Sequence, residues 1–170
     1  MPTVEPPPRI RLMIPADIDR VMAISASRRE APQWPRSAYE SALRPDSIPR
    51  RIALVADLDD TVRGFALASV LPPQAELESI AVDRSIQRRG IGSALLAALI
   101  HEAQQAGAEE MLLEVRASNQ PAATLYSRAG FREVGRRQGY YLNPAEDALL
   151  MQLSMRQSVL PERWYGCQRP

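Results

Sequence analysis

The sequence predicts one domain of the α/β (α+β) class: a mixed, mostly antiparallel sheet of six to seven strands flanked by about four helices. Three observations lead there. Short apolar runs and helical stripes follow one another in the order β-α-α-β-β-β-α-β-α-β-β. Several neighbouring runs are joined by nothing longer than a turn, which makes them antiparallel. One pair is joined instead through a long, apolar-striped helix, which makes those two strands parallel with a right-handed crossover. The chain of 170 residues is long enough for one sizeable core, and no repeat or linker divides it.

Arg9 to Ile14 alternates polar and apolar residues and suits a first strand. Ala16 to Ser27 places Ile18, Val21, Met22 and Ile24 at helical spacing, with Asp17 and Asp19 where the helix dipole favours acids. Pro32-Gln33-Trp34-Pro35 breaks that helix, and Ser37 is the expected N-cap of a short second helix through Leu43. Ile52 to Ala56 and Val62 to Val70 read as a hairpin turned at Asp59-Asp60. Pro72-Pro73 turns the chain again, into a strand over Leu77 to Val82. Ile91, Leu95, Leu99 and Ala103 then stripe one face of a helix that Gly107 closes. Met111 to Val115 is a buried-type strand. Ser118-Asn119 caps, and Pro121 opens, a helix to about Ala129 that Gly130 ends. Arg132 to Arg137 and Ala148 to Leu153 make the last strand pair. The domain is therefore expected over 9–155, with a Pro-rich arm at 1–8 and a tail at 156–170.

Composition excludes several functions. Lys plus Arg number 21 and Asp plus Glu 20, a net charge of +1, so nothing pulls the whole chain toward nucleic acid or an acidic membrane. No apolar run has transmembrane length, and no signal peptide is evident. The one cysteine, Cys167, lies in the polar tail without a nearby histidine, which argues against both a disulfide framework and a nucleophile. The one histidine, His101, falls in a helical pattern with no ligand-type neighbour, so no metal is expected. A cytoplasmic enzyme, monomeric or weakly dimeric, is the expectation.

The most informative stretch runs from Ile80 to Ser93. It reads as a strand, a turn rich in arginine and glycine, and the first turn of a helix. Backbone N–H groups of Arg88, Arg89, Gly90, Ile91, Gly92 and Ser93 can converge there, reinforced by the helix dipole, on a pyrophosphate. The arginines can add charge-assisted hydrogen bonds. A dinucleotide fingerprint would need a third glycine, and a P-loop would need a lysine, which this chain lacks entirely. What remains is Gln87-x-x-Gly90-x-Gly92, which resembles the acetyl-coenzyme A motif of the GNAT superfamily of N-acetyltransferases.

The second half sharpens the resemblance. Leu113-Glu114-Val115-Arg116-Ala117-Ser118-Asn119, Ala122-Ala123, Leu125-Tyr126, Gly130-Phe131, Tyr140-Tyr141 and Glu146-Asp147-Ala148 are similar to the bacterial ribosomal-protein-alanine N-acetyltransferases of the RimI type. The resemblance covers about Arg9 to Met155 and implies the GNAT fold, splayed between its fourth and fifth strands. It implies Glu114 as general base and Tyr126 as the acid that protonates the leaving thiolate. Glu114 paired with Arg116 on one strand face is the bland alternative, and Glu78 is the rival base. Acetyl-coenzyme A is the implied co-substrate. Its pantetheine would lie along the edge of Ile80, Ala81 and Val82, with Asn119 and Tyr126 beside it and the Val82 N–H facing the reacting carbonyl. Trp34, Tyr140 and Tyr141 are placed by the resemblance in loops around the acceptor.

The implied reaction is direct transfer, without an acyl-enzyme, to the N-terminal amine of a protein such as a small-subunit ribosomal protein, with alanine first. An α-amine, with a pKa near ~8 against ~10.4 for lysine, costs roughly 3 kcal/mol less to deprotonate at neutral pH. Two alternatives stand beside it: a small-molecule amine acetyltransferase, and a non-catalytic acyl-coenzyme A sensor. No direct nucleic-acid or membrane partner is expected.

Overall fold

The computed structural model describes residues 7–28 and 32–156. Most of the Pro-rich arm and of the tail, Cys167 included, lie outside the described residues. Seven strands and four helices follow in the expected order: β1 (Arg9–Leu12), α1 (Ile18–Ala26), α2 (Arg36–Ala42), β2 (Arg50–Leu58), β3 (Thr61–Leu71), β4 (Gln74–Val82), α3 (Ile91–Gln105), β5 (Glu110–Arg116), α4 (Gln120–Arg128), β6 (Arg132–Leu142) and β7 (Ala145–Ser154). They form one sheet in the order β1-β2-β3-β4-β5-β7-β6. Every pairing is antiparallel except β4 with β5, which α3 connects.

Side-chain alternation in β2 and β3 explains the two cores. Ile52 and Leu54 on β2, with Ala66, Ala68 and Val70 on β3, face α3 and its Leu95, Leu96 and Leu99. Ala53, Val55, Phe65 and Leu67 face the other way, against Val21 and Ile24 of α1 and Tyr39 of α2. Both faces are covered, so these strands read as continuous apolar runs. Each fully buried Leu or Phe contributes about 1.5–3 kcal/mol.

Two local expectations need correction. Pro35, not Ser37, stands at the N-cap of α2, and it makes no side-chain cap bond. Its fixed φ suits the extended cap position, so the helix starts one residue before Ser37. Tyr140 and Tyr141 lie in β6 rather than in a loop. The β6–β7 turn is tight, with Leu142 paired to Ala145, so both strands run on past their expected ends. β6 was hard to read because it is an edge strand with no buried residue, and so carries no apolar alternation.

The pairing of β4 with β5 is brief. It runs from Gln74↔Glu110 to Glu76↔Leu112 and stops. Just beyond, Ala68 pairs with Leu77 and Leu67 with Ser79, which leaves Glu78 as an extra residue on β4. Such a bulge bends its strand. From there on β4 is bonded to β3 alone, and the gap beside it opens toward the N-terminus of α3.

Candidate active site

That gap is a cleft of about 430 Å³ between the carboxyl halves of β4 and β5. Its lining includes Glu78, Ile80, Ala81, Val82, Arg88, Gly90, Ile91, Gly92, Ser93, Glu114, Asn119, Tyr126 and Tyr141, brought together from six elements and turns. Arg89 and Trp34 are outside the lining. Trp34 packs on Tyr39, with ring centroids 5.6 Å apart, and lies 6.0 Å from the Arg51 guanidinium. A larger hollow of about 640 Å³ at the other end of the sheet, beside Pro73, Glu110 and Arg132, has no helix N-terminus in its lining.

The phosphate-type end is built by the turn before α3. Asp83 caps its first bend, accepting from the Ser85 N–H at 3.0 Å, and is itself held by Arg20 and by Arg63 at 3.5 Å. These contacts keep the Asp83 carboxyl below the usual range, the backbone hydrogen bond from Ser85 first. Arg88 and Gly90 both take positive φ, +64° and +77°. Gly90 then sits as the left-handed N-cap of α3 without any side-chain cap bond. The first N–H groups of α3 have no partner inside the helix. At Gly92 an added Cβ would meet only Leu125 and Val82, at 3.6 and 3.8 Å. The protein tolerates a side chain there; what needs glycine is the hollow in front of it. Unpartnered N–H groups at the positive end of a helix are the kind of surface that receives an anion.

The edge of β4 is presented to the same cleft. Asp83 donates its N–H to Arg63 O on β3 at 2.7 Å. By strand alternation the Val82 and Ile80 N–H groups point away from β3, into the gap. A chain of amides lying beside this edge would find those groups unpaired. Asn119 caps α4, accepting from the Ala122 N–H at 3.3 Å, and still lines the cleft.

Glu78 and Glu114 line the cleft, and Glu76 lies near enough to feel the charge of both. Glu78 is gripped by Arg51 through both oxygens, at 3.1 to 3.3 Å. Glu76 is raised above the ordinary carboxyl range by desolvation, then by the charges of Glu78 and Glu114. Glu114 does not pair with Arg116, the alternative the sequence allowed. Its partner is Arg137, whose Nε lies 3.1 Å from Glu114 Oε1. The reason is lateral. Arg116, Ala148 and Arg137 are register partners on one sheet face. The small Ala148 lets Arg137 reach from β6 across β7 to β5. Arg116 turns instead to Glu146 at 3.4 Å and stacks 4.0 Å from the Tyr141 ring centroid. Tyr140 faces Glu114, and a hydrogen bond to that carboxylate raises its hydroxyl pKa first of all. Tyr126 is buried beside Phe131, centroids 5.8 Å apart. Burial pushes its hydroxyl pKa well up, so the proton stays on the oxygen until a stronger base arrives.

Sequence reasoning missed Arg137 and Arg51. Neither carries a local signal, because each meets its glutamate across strands. Among the described residues no His, Cys, Asp or Glu group is placed to hold a metal ion, and no helix is long and apolar enough to cross a membrane.

Residues 19–131 match the acetyltransferase (GNAT) family. The ribosomal protein bS18-alanine N-acetyltransferase of Salmonella typhimurium is 42% identical over 106 residues, which span 61% of this chain and 72% of that protein. The protein of the same name from Escherichia coli strain K12 is 45% identical over 91 residues, 52% of this chain and 62% of that one. The crystal structure of the ribosomal-protein-S18-alanine N-acetyltransferase from Escherichia coli superposes with a TM-score of 0.77 at 30% identity, covering 92% of this chain and 99% of that chain.

Proposed function

The chain belongs to the GNAT acetyltransferase family, and we propose that it is an N-α-acetyltransferase that acetylates the N-terminal amine of a protein of the ribosomal type, alanine first. Acetyl-coenzyme A is the co-substrate, and it supplies an acetyl group activated as a thioester. The residues from Arg88 to Ser93 hold its pyrophosphate, and the edge of β4 from Ile80 to Val82 aligns the arm that carries the thioester. The acceptor enters from the face that carries Glu114. Glu114 takes one proton from the amine, directly or through a water, as the new C–N bond forms. The Val82 N–H is aimed to stabilise the carbonyl oxygen as it gains charge. The C–S bond breaks, and the Tyr126 hydroxyl protonates the departing thiolate. Tyr126 recovers its proton from solvent.

The observation that carries this reading is that Glu114 and Tyr126, from different elements, line one cleft whose far end is a helix N-terminus built for phosphate. The names of the relatives support the choice of acceptor. Tyr140 and Tyr141 on an edge strand favour a peptide over a small amine, because they offer hydroxyls and rings beside unpaired backbone groups. Incubation with acetyl-coenzyme A and a panel of acceptors, read by thiol release, tests it. A peptide starting with Ala should outperform an N-terminally blocked lysine peptide and spermidine. Faster acetylation of spermidine or an aminoglycoside than of every peptide would overturn the N-terminal reading and leave the family assignment intact.

A further inference from the structure

We propose that Arg137 is a positioning residue that occupies Glu114 while the acceptor side is empty and yields it to the incoming ammonium group. The inference rests on Glu114 being the base of the proposed reaction.

Two arginine–glutamate pairs flank the cleft, and they differ. Arg51 reaches both oxygens of Glu78, and the two side chains are 27% and 15% exposed. Arg137 approaches Glu114 through Nε at 3.1 Å, and the two side chains are 55% and 23% exposed. A single contact at an open rim is worth about 0–1 kcal/mol. It can be exchanged; the Arg51 grip is far harder to undo. The backbone under Arg137 is also less constrained. The β6–β7 register is broken between Arg137 and Tyr141, with Gly139 at a φ of +59°. In the same position the Arg137 guanidinium lies 5.3 Å from the Tyr140 ring centroid, a contact that does not depend on Glu114.

The chemistry calls for such an exchange. An α-amine reaches the site mostly as the ammonium, its pKa being near ~8. It needs an ionised carboxylate. A bare Glu114 carboxylate would leave a negative charge without a cation beside Glu76, whereas Glu78 has its own partner in Arg51. Arg137 keeps the positive charge in place until the ammonium supplies it. One cation then replaces another, so the exchange adds no net charge. The ammonium first gives up one proton through Glu114 to solvent and becomes the attacking amine; after transfer the amide product is neutral and Glu114 holds the second proton. Once that proton has left to solvent, the guanidinium returns and restores the resting pair.

Calorimetry in the presence of coenzyme A tests this, with a hexapeptide starting with Ala and its N-acetylated form as probes. Arg137→Gln should bind the free-amine peptide about three- to fivefold more tightly, the most that an exposed pair is worth as a competitor. The acetylated peptide should bind as it does to the unaltered protein. Arg137→Lys should restore the original affinity. In a Glu114→Gln background, Arg137→Gln should have no such effect. Weaker or unchanged binding of the free-amine peptide, or equal tightening of both peptides, overturns the proposal. If Glu114→Gln retains full turnover, the base assignment itself fails. If it cripples turnover while Arg137→Gln leaves the two peptides as they were, only the role of Arg137 fails.

Discussion

Asp17, below the β1–β4 half of the sheet, and Glu114, on the β5–β7 half, each meet an arginine, but on opposite terms. Asp17 is buried and is held by two nitrogens of Arg11, at 2.7 and 2.9 Å, while its Oδ2 also accepts from the Ile14 N–H at 2.9 Å. Arg11 reaches on to Asp57 at 3.3 Å. That network ties β1 and β2 to the turn that starts α1. Glu114 has one arginine contact at an open rim, next to two tyrosines. On the other half the arginines lie over tyrosine rings, and the outer strand buries nothing. Charges that hold a shape are sealed and held by several bonds. Charges that handle a substrate are left where a substrate can replace one partner.

The largest effect should come from Glu114. Glu114→Gln keeps the shape and removes the base, so turnover should fall by about 10²–10⁴-fold. Cofactor affinity should hardly change. Glu78→Gln, at the carboxylate that Arg51 grips, should cost much less. If steady-state assays rank the two the other way round, Glu78 is the base and the contrast drawn from their arginines is wrong.

The cleft's other end gives the next effect. Gly92→Val leaves room in the protein, because an added Cβ meets side chains only at 3.6 Å and beyond. The two extra methyls would project where the pyrophosphate is held. The affinity for acetyl-coenzyme A should drop by at least about 10²-fold, the scale of losing several charge-assisted bonds. Circular dichroism should report a folded protein. Unaltered calorimetric affinity would remove the phosphate site from this turn.

The same contrast explains what could be read in advance. The β1–β4 half writes its structure locally: Asp59-Asp60 turns the hairpin at positive φ, and apolar runs mark strands buried on both faces. Asn119 as a cap and Gly107 and Gly130 as helix stops are local signals too. The glycine turn was legible because it needs particular residues at fixed spacing. The extension of β6 was not, because an edge strand with polar residues on both faces has no period to detect. The partner of Glu114 was not legible either. Arg116 stands two residues away in sequence, but the contact was decided by the small Ala148 lying between Arg137 and β5, a fact of register and not of composition. Trp34 was placed beside the acceptor by resemblance; its contact with Arg51, which in turn holds Glu78, is again a pairing across elements that no local pattern announces.

The smallest effect should appear at Asp17, and it should be on stability alone. Asp17→Asn keeps the volume but loses the charge that Arg11 grips. The cost should be about 2 kcal/mol, the scale of hydrogen bonds to a charged group left with a half-buried partner. Turnover of the folded variant should stay near that of the unaltered protein, since the site lies across the sheet. The pH dependence has a definite sign. Arg11 first, and then the Ile14 N–H, hold the folded Asp17 carboxyl below its ordinary value, against the opposing effect of burial. A depressed carboxyl contributes its full stability above the unfolded pKa of ~3.9 and loses it as pH falls through the folded value. Denaturant melts of the two proteins should therefore differ by a constant amount from neutral pH down to about pH 4, and converge below it. A gap that persists undiminished to the lowest pH at which both still fold would mean that packing, not charge, makes Asp17 matter, and the division between sealed and open pairs would lose its structural half.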